Sequence, residues 1–243
     1  MSDLRIGLIA EGETDFIIIQ AALKSVLGRR FIIQLLQPES IGNLGGFSET
    51  GGGWGGVYRK CREFVSMEFE ISKNPSLSGF NLILIHIDAD VAGESYPNAG
   101  IEDQPNQDLP CEKPCPPAED TVQALRSVVM GWLNLVPVAI PKHWALCIPS
   151  KSIETWLIVA LYGQNEPLFM QNIECNKRLE EWLTQRPVHE RLVRMKDGKA
   201  KKIKSRYLKA VPVVTERWSE VEQRCTQAVR FRIEVLKAVN TTL

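Results

Sequence analysis

The segment Asn81-Leu-Ile-Leu-Ile-His-Ile-Asp-Ala-Asp90 constrains the fold more than any other stretch. Leu82 to Ile87 is apolar except for His86 and rich in branched side chains. Such a run suits a strand buried on both faces, the condition of a parallel sheet between two layers of helices. The apolar run stops at Asp88 and Asp90. On an extended backbone, residues two apart project to one side, so the pair is expected to face a single point. Two hard oxygen donors at a strand end suit Mg²⁺ or Mn²⁺.

The pattern recurs twice. Leu4 to Ala10 reads as a first strand, followed by Glu11-Gly-Glu-Thr-Asp15. His143 to Pro149 reads as a later strand, followed by Ser150-Lys-Ser-Ile-Glu154. After the first strand, Thr14 is expected to cap a helix from Asp15 to Leu27, with Gly28 as its stop. Phe31 to Leu36 reads as the next strand. A β-α-β opening predicts an α/β, Rossmann-like, mostly parallel sheet. Ligands of such sheets collect outside the carboxyl ends of the strands. Glu11, Asp88, Asp90 and Glu154 are therefore expected to converge on one cation.

The remaining segments organise around this sheet. A glycine-rich loop is expected from Gly42 to Gly56, either as plain surface or as a flap that offers Trp54 to a base. It lacks the Lys-Ser or Lys-Thr ending of a phosphate-binding P-loop. Helices are expected over Tyr58–Ile71, Ala118–Leu133, Lys151–Leu161 (capped by Ser150), Cys175–Thr184 and Thr215–Val239. Val91 to Pro117 reads as irregular and proline-rich. Strand signals fade near Tyr162, which divides the chain into an α/β part, 1–162, and a helical part, 163–243, packing on it. Glu154 falls at the border of an apolar stripe. It either looks toward the strand ends or only complements its helix N-terminus.

Charge and cysteine usage bound the function. The 243-residue chain carries 29 basic and 29 acidic residues, so its net charge names no partner. Between Arg186 and Lys209, however, ten basic residues face two acidic ones. Lys151, Arg194, Lys196, Lys199, Lys201, Lys202 and Lys204 are accordingly expected to meet a polyanion, DNA or RNA. Six scattered cysteines read as small buried hydrophobes rather than a disulfide framework. Cys111 and Cys115 lack the second close pair that zinc needs. No stretch reads as a signal peptide or membrane span, and a cytoplasmic protein is expected.

Glu11-Gly, the Asp88-Ala-Asp90 pair after an apolar strand, and Glu154 within Ile-Glu-Thr-Trp-Leu together resemble the TOPRIM fold. More narrowly, they resemble small stand-alone TOPRIM-like proteins related to RloB and to the nuclease half of OLD-family systems. The resemblance spans Leu4 to Leu161. It implies a Mg²⁺-dependent nuclease of bacterial anti-phage defence, sometimes working with a partner ATPase. It implies Glu11 as ligand or general acid/base, Asp88 and Asp90 as catalytic ligands, and Glu154 as a further ligand. The long proline-rich insertion after Asp90 departs from the pattern. Two other readings stand beside it. One is a non-catalytic module that binds nucleic acid or an ATPase. The other is a haloacid-dehalogenase-like phosphatase, with Asp88 as nucleophile, Asp90 as acid/base and Ser150 as a second motif.

Overall fold

The structure, a computed structural model, describes residues 3–38, 40, 41, 46, 47, 51–66, 75–102, 107–135, 140–163, 172–196 and 199–240. It is α/β. Four strands, β1 (Leu4–Ile9), β2 (Phe31–Gln37), β5 (Leu82–His86) and β6 (Trp144–Cys147), form one sheet in the order β2-β1-β5-β6. Every pairing in it is parallel. All five residues of β5 are buried. Leu82 and Leu84 enter one core, and Ile83 and Ile85 the other. Burial on both faces is why this strand reads as an unbroken apolar run.

Helices cover both faces. Helix α1 (Glu13–Leu27) connects β1 to β2, and α4 (Glu154–Tyr162) follows β6; both line the first core. Helices α2 (Gly53–Ser66) and α3 (Glu119–Trp132) cover the other face. Among the described residues, two short antiparallel ribbons complete the sheet content, β3 (Ser40–Ile41) with β4 (Gly46–Phe47), and β7 (Val193–Lys196) with β8 (Lys199–Lys202). Helix α5 (Leu179–Gln185) precedes the second ribbon. Helices α6 (Lys204–Glu216), α7 (Trp218–Arg224) and α8 (Thr226–Asn240) follow it and pack on α1, α4 and β6. Among the described residues, no helix is long and apolar enough to cross a membrane.

Several local expectations need correction. Gly12, not Thr14, is the residue before α1, whereas Gly28 ends that helix in the left-handed region, φ 57°, as a C-terminal glycine does. Gly53 to Gly56 belong to α2 rather than to a loop. A side chain at Gly56 would meet Gln37 Nε2 at 2.5 Å and the Gly51 carbonyl at 2.6 Å, so close packing accounts for that glycine. Trp54 is half-buried and packs edge-on against Tyr96 at 5.7 Å. The expected ends at 42–45, 48–50 and 67–71 lie outside the described residues. Ser150 caps nothing; its hydroxyl donates to the Glu174 carbonyl at 2.5 Å. The helix expected over Cys175–Thr184 is present as α5 but starts only at Leu179, after a short 3-10 turn at Ile173–Cys175. The single last helix is instead α6, α7 and α8.

The cysteine expectation is also overturned. Cys115 and Cys175 form a disulfide across 60 residues of sequence. Spacing cannot show such a pair, because the fold alone brings the proline-rich segment against the turn at 173–175. Cys61, Cys147 and Cys225 are buried thiols, as expected, and Cys111 is exposed.

One buried carboxylate secures the C-terminal helices. Glu174 is 1% exposed and accepts from the N–H groups of Thr226 and Gln227 at 2.9 and 3.0 Å. It also accepts from the Thr226 hydroxyl at 2.7 Å. It thus serves α8 as an N-terminal cap from outside the helix. Glu174→Ala leaves these donors unmatched and is expected to cost about 3 kcal/mol in a urea melt. An unchanged midpoint would contradict this role.

Candidate functional site

Strand order fixes where a ligand can sit. From β1 the chain goes to β2 on one side, while β5 lies on the other side. The carboxyl ends of β1 and β5 therefore flank the topological switch point of the sheet. Glu11 follows β1 and Asp88 follows β5, and the two meet there. Asp88 N–H donates to Glu11 Oε1 at 2.7 Å. Asp88 Oδ1 accepts from the Ile153 N–H at 2.9 Å, just ahead of α4, and lies 3.2 Å from His86 Nε2. Among the described residues, the second oxygen of either carboxylate makes no hydrogen bond.

Asp90 parts from Asp88. The strand ends at His86, and Ala89–Val91 form a 3-10 turn, so the extended alternation expected for the pair does not apply. Asp88 is buried, whereas Asp90 is exposed. Asp90 lines a separate cleft with Glu112, Lys151 and Lys177. Its backbone N–H is tied to the Lys151 carbonyl at 2.9 Å.

Glu154 is fully buried in the first turn of α4. It does more than complement the helix end. Its Oε1 receives Lys202 Nζ at 2.6 Å and the Tyr207 hydroxyl at 2.9 Å. Its Oε2 is buried without a well-formed hydrogen bond. Lys202 also lies 3.5 Å from Asp15 Oδ1. Asp15, Tyr207 and His86, not expected as site residues, thus join the cluster together with Lys202, which was expected to meet a polyanion.

Lys202 separates from its basic neighbours by strand alternation. In the β7-β8 ribbon it pairs with Val193, which is fully buried. The Arg194 and Lys201 pair takes the opposite parity, and Arg194, Lys196 and Lys201 are exposed. Lys199 pairs with Lys196 in register, on that same parity. Lys204 is paired with Glu13 at 2.5 Å.

The electrostatics follow from burial and crowding. Burial, then the Asp88 charge, raise Glu11 well above the usual carboxyl range. Burial raises Asp15 to about 6, although Lys202 pulls against it. Burial opposes a charged His86. The Asp88 contact and the Asp88, Asp15 and Glu11 charges outweigh it and carry the imidazole to about 9. Burial likewise opposes a charged Glu154, but Lys202 and Tyr207 win and hold it below its ordinary range. The cluster therefore mixes two carboxyls pressed toward protonation with one locked as an anion.

These directions predict a pH dependence. For both His86 and Asp15, the folded protein binds a proton more tightly than the unfolded chain. Stability from His86 is present below pH 6.5 and is lost as pH rises toward 9. Asp15 removes stability as pH rises from 3.8 toward 6. Asp15→Asn is accordingly expected to stabilise the metal-free protein at pH 7, on the order of 2 kcal/mol. A melt in EDTA that showed a loss instead would contradict this.

The donor set suits a hard divalent cation: Glu11 and Asp88 each keep an uncommitted oxygen, Asp15 is near them, and Glu154 Oε2 is a buried oxygen without a good partner. In the arrangement described, no three or more His, Cys, Asp and Glu side chains among the described residues already form a metal-binding group. Compared with models of known protein families, with curated proteins and with solved structures, the chain matches none of them.

Proposed function

We propose that the chain is a Mg²⁺- or Mn²⁺-dependent nuclease that cleaves phosphodiester bonds of DNA or RNA. The observation that carries this reading is the contact of Glu11 with Asp88 at the switch point of a parallel sheet, in a cluster where Glu11 and Asp15 are pressed toward protonation. A divalent ion held there by Glu11, Asp88 and Asp15 would supply charge stabilisation at the phosphate and a more acidic water. Bound to the ion, Glu11 and Asp15 would both ionise, because its charge offsets the burial and crowding that press them toward protonation. Lys202 keeps Glu154 ionised, and the His86 cation offsets the charge of Asp88. The exposed Arg194, Lys196 and Lys201 offer a positive surface to the strand's phosphates.

The TOPRIM resemblance, a defence role, a partner ATPase and a cytoplasmic setting belong to the same proposal. One observation favours the alternative of a non-catalytic nucleic-acid module. Lys202 already neutralises Glu154, so part of the cluster is balanced without a metal. The phosphatase alternative gains nothing from Ser150, whose hydroxyl is spent on Glu174.

The test is incubation with plasmid, single-stranded DNA and transfer RNA in Mg²⁺, Mn²⁺ or EDTA. Metal-dependent cutting of at least one substrate is expected. Salt-sensitive binding without any cutting would favour the non-catalytic module.

A further inference from the structure

Beside Asp90, two ammonium groups close around one carboxylate. Lys151 and Lys177 both pair with Glu112 in a cleft of about 220 Å³. The Lys151 side chain is 10% exposed, and a lysine so covered requires an anion. Its backbone lies in the left-handed region, φ 62°, which a residue with a side chain rarely adopts. Such a conformation persists where its surroundings enforce it, often at a ligand clamp. Here the Asp90 N–H holds the Lys151 carbonyl at 2.9 Å. Lys151 is thus a strained residue fixed beside the proposed centre.

The anion that it meets is not part of the sheet. Glu112 sits on the proline-rich segment, three residues before Cys115. Cys115 is bonded to Cys175, two residues before Lys177. The disulfide therefore ties the segment that carries Glu112 to the segment that carries Lys177. Hydrogen bonds from Lys151, then Lys177, hold the Glu112 carboxyl below its ordinary range. Ammonium pairs that grip a carboxylate in this way have the donors that a phosphate requires.

We propose that Lys151 and Lys177 form a phosphate-binding subsite whose resident occupant is Glu112, kept in place by the Cys115–Cys175 disulfide. The nuclease reading supplies only the source of the phosphate, a nucleic-acid strand. A dithiol opens the staple: it gives two electrons and two protons, the S–S bond breaks, two cysteine thiols form, and the dithiol leaves as its own disulfide. Glu112 then loses its high local concentration at the lysines, and an external phosphate competes better.

The experiment is run in EDTA, so that cleavage plays no part. Inorganic pyrophosphate is titrated by calorimetry, and a short fluorescein-labelled single-stranded oligodeoxynucleotide by anisotropy. Glu112→Gln is expected to tighten pyrophosphate binding about tenfold. That gain disappears when Lys151→Met and Lys177→Met are added. Dithiothreitol tightens binding to the native chain but not to Cys115→Ser, which already binds more tightly. A cooperative melt is required of each variant. Should the triple variant not fold, Glu112→Gln with Lys177→Met, at a 66% exposed side chain, reads the same loss. Unchanged pyrophosphate affinity in Glu112→Gln, a gain that survives removal of the lysines, or indifference to dithiothreitol would each overturn the proposal. The predicted pyrophosphate pattern with no oligonucleotide binding keeps the subsite and removes the nuclease reading.

Discussion

Asp88→Asn is expected to lower metal-dependent cleavage by about a thousandfold while the fold survives. Asparagine keeps a carbonyl oxygen where Asp88 Oδ1 accepts from Ile153, so the junction between β5 and α4 retains its hydrogen bond. What it loses is charge at the meeting point with Glu11. A second readout separates this from simple unfolding. His86 owes its elevated titration, near 9, chiefly to Asp88. In Asp88→Asn the imidazole resonances should titrate well below that value. Cleavage that persists in a folded variant with a shifted His86 would remove Asp88 from the chemistry. Adding Asp90→Asn tests the exposed partner, which lies on the side of Lys151 and is expected to affect substrate binding more than the chemical step.

Lys202→Met is expected to cost about 3–5 kcal/mol of folding stability at pH 7, the range for removing one partner of a buried ion pair. The cause is Glu154, which is fully buried and would lose its cation at 2.6 Å. Tyr207 alone would remain on that oxygen. The sign of the pH dependence is fixed by the depressed Glu154 titration. The pair's contribution is present above pH 4.5 and is lost as pH falls further. Without Lys202 the carboxyl titrates higher, so native protein and variant should differ most near neutrality and converge in acid. A difference that did not vary with pH would show that Lys202 acts by packing alone.

Legibility followed covalent locality. The parallel sheet was readable because β5 is buried on both faces and its composition records that. Glu11 and Asp88 were readable because each follows its strand directly, and strand ends at a switch point are where the fold gathers polar groups. Asp90 misled because the period of two stops with the strand, and nothing in Asp-Ala-Asp marks where a 3-10 turn begins. The burial of Glu154 was hidden for a different reason. The pattern puts it only at the border of an apolar stripe, but α4 is buried from Glu154 through Ala160 once α6 and α7 cover it.

The missed residues left partial signals. Asp15 lies four positions after Glu11, across the turn into α1, where an acidic residue in a first helical turn is ordinary. Lys202 lay in a segment read as uniformly basic. Its parity with Val193, Met195 and Ala200 in a two-stranded ribbon sets it apart, but that parity exists only once the ribbon is recognised. The Cys115–Cys175 bond had no local signal at all.

The central claim is that Glu11 and Asp88 share a divalent cation. A crystal soaked in Mn²⁺, with an anomalous difference map, tests it directly. A peak about 2–2.5 Å from oxygens of both carboxylates is expected. A map in which Mn²⁺ is bound elsewhere, with neither Glu11 nor Asp88 in its coordination sphere, would contradict it.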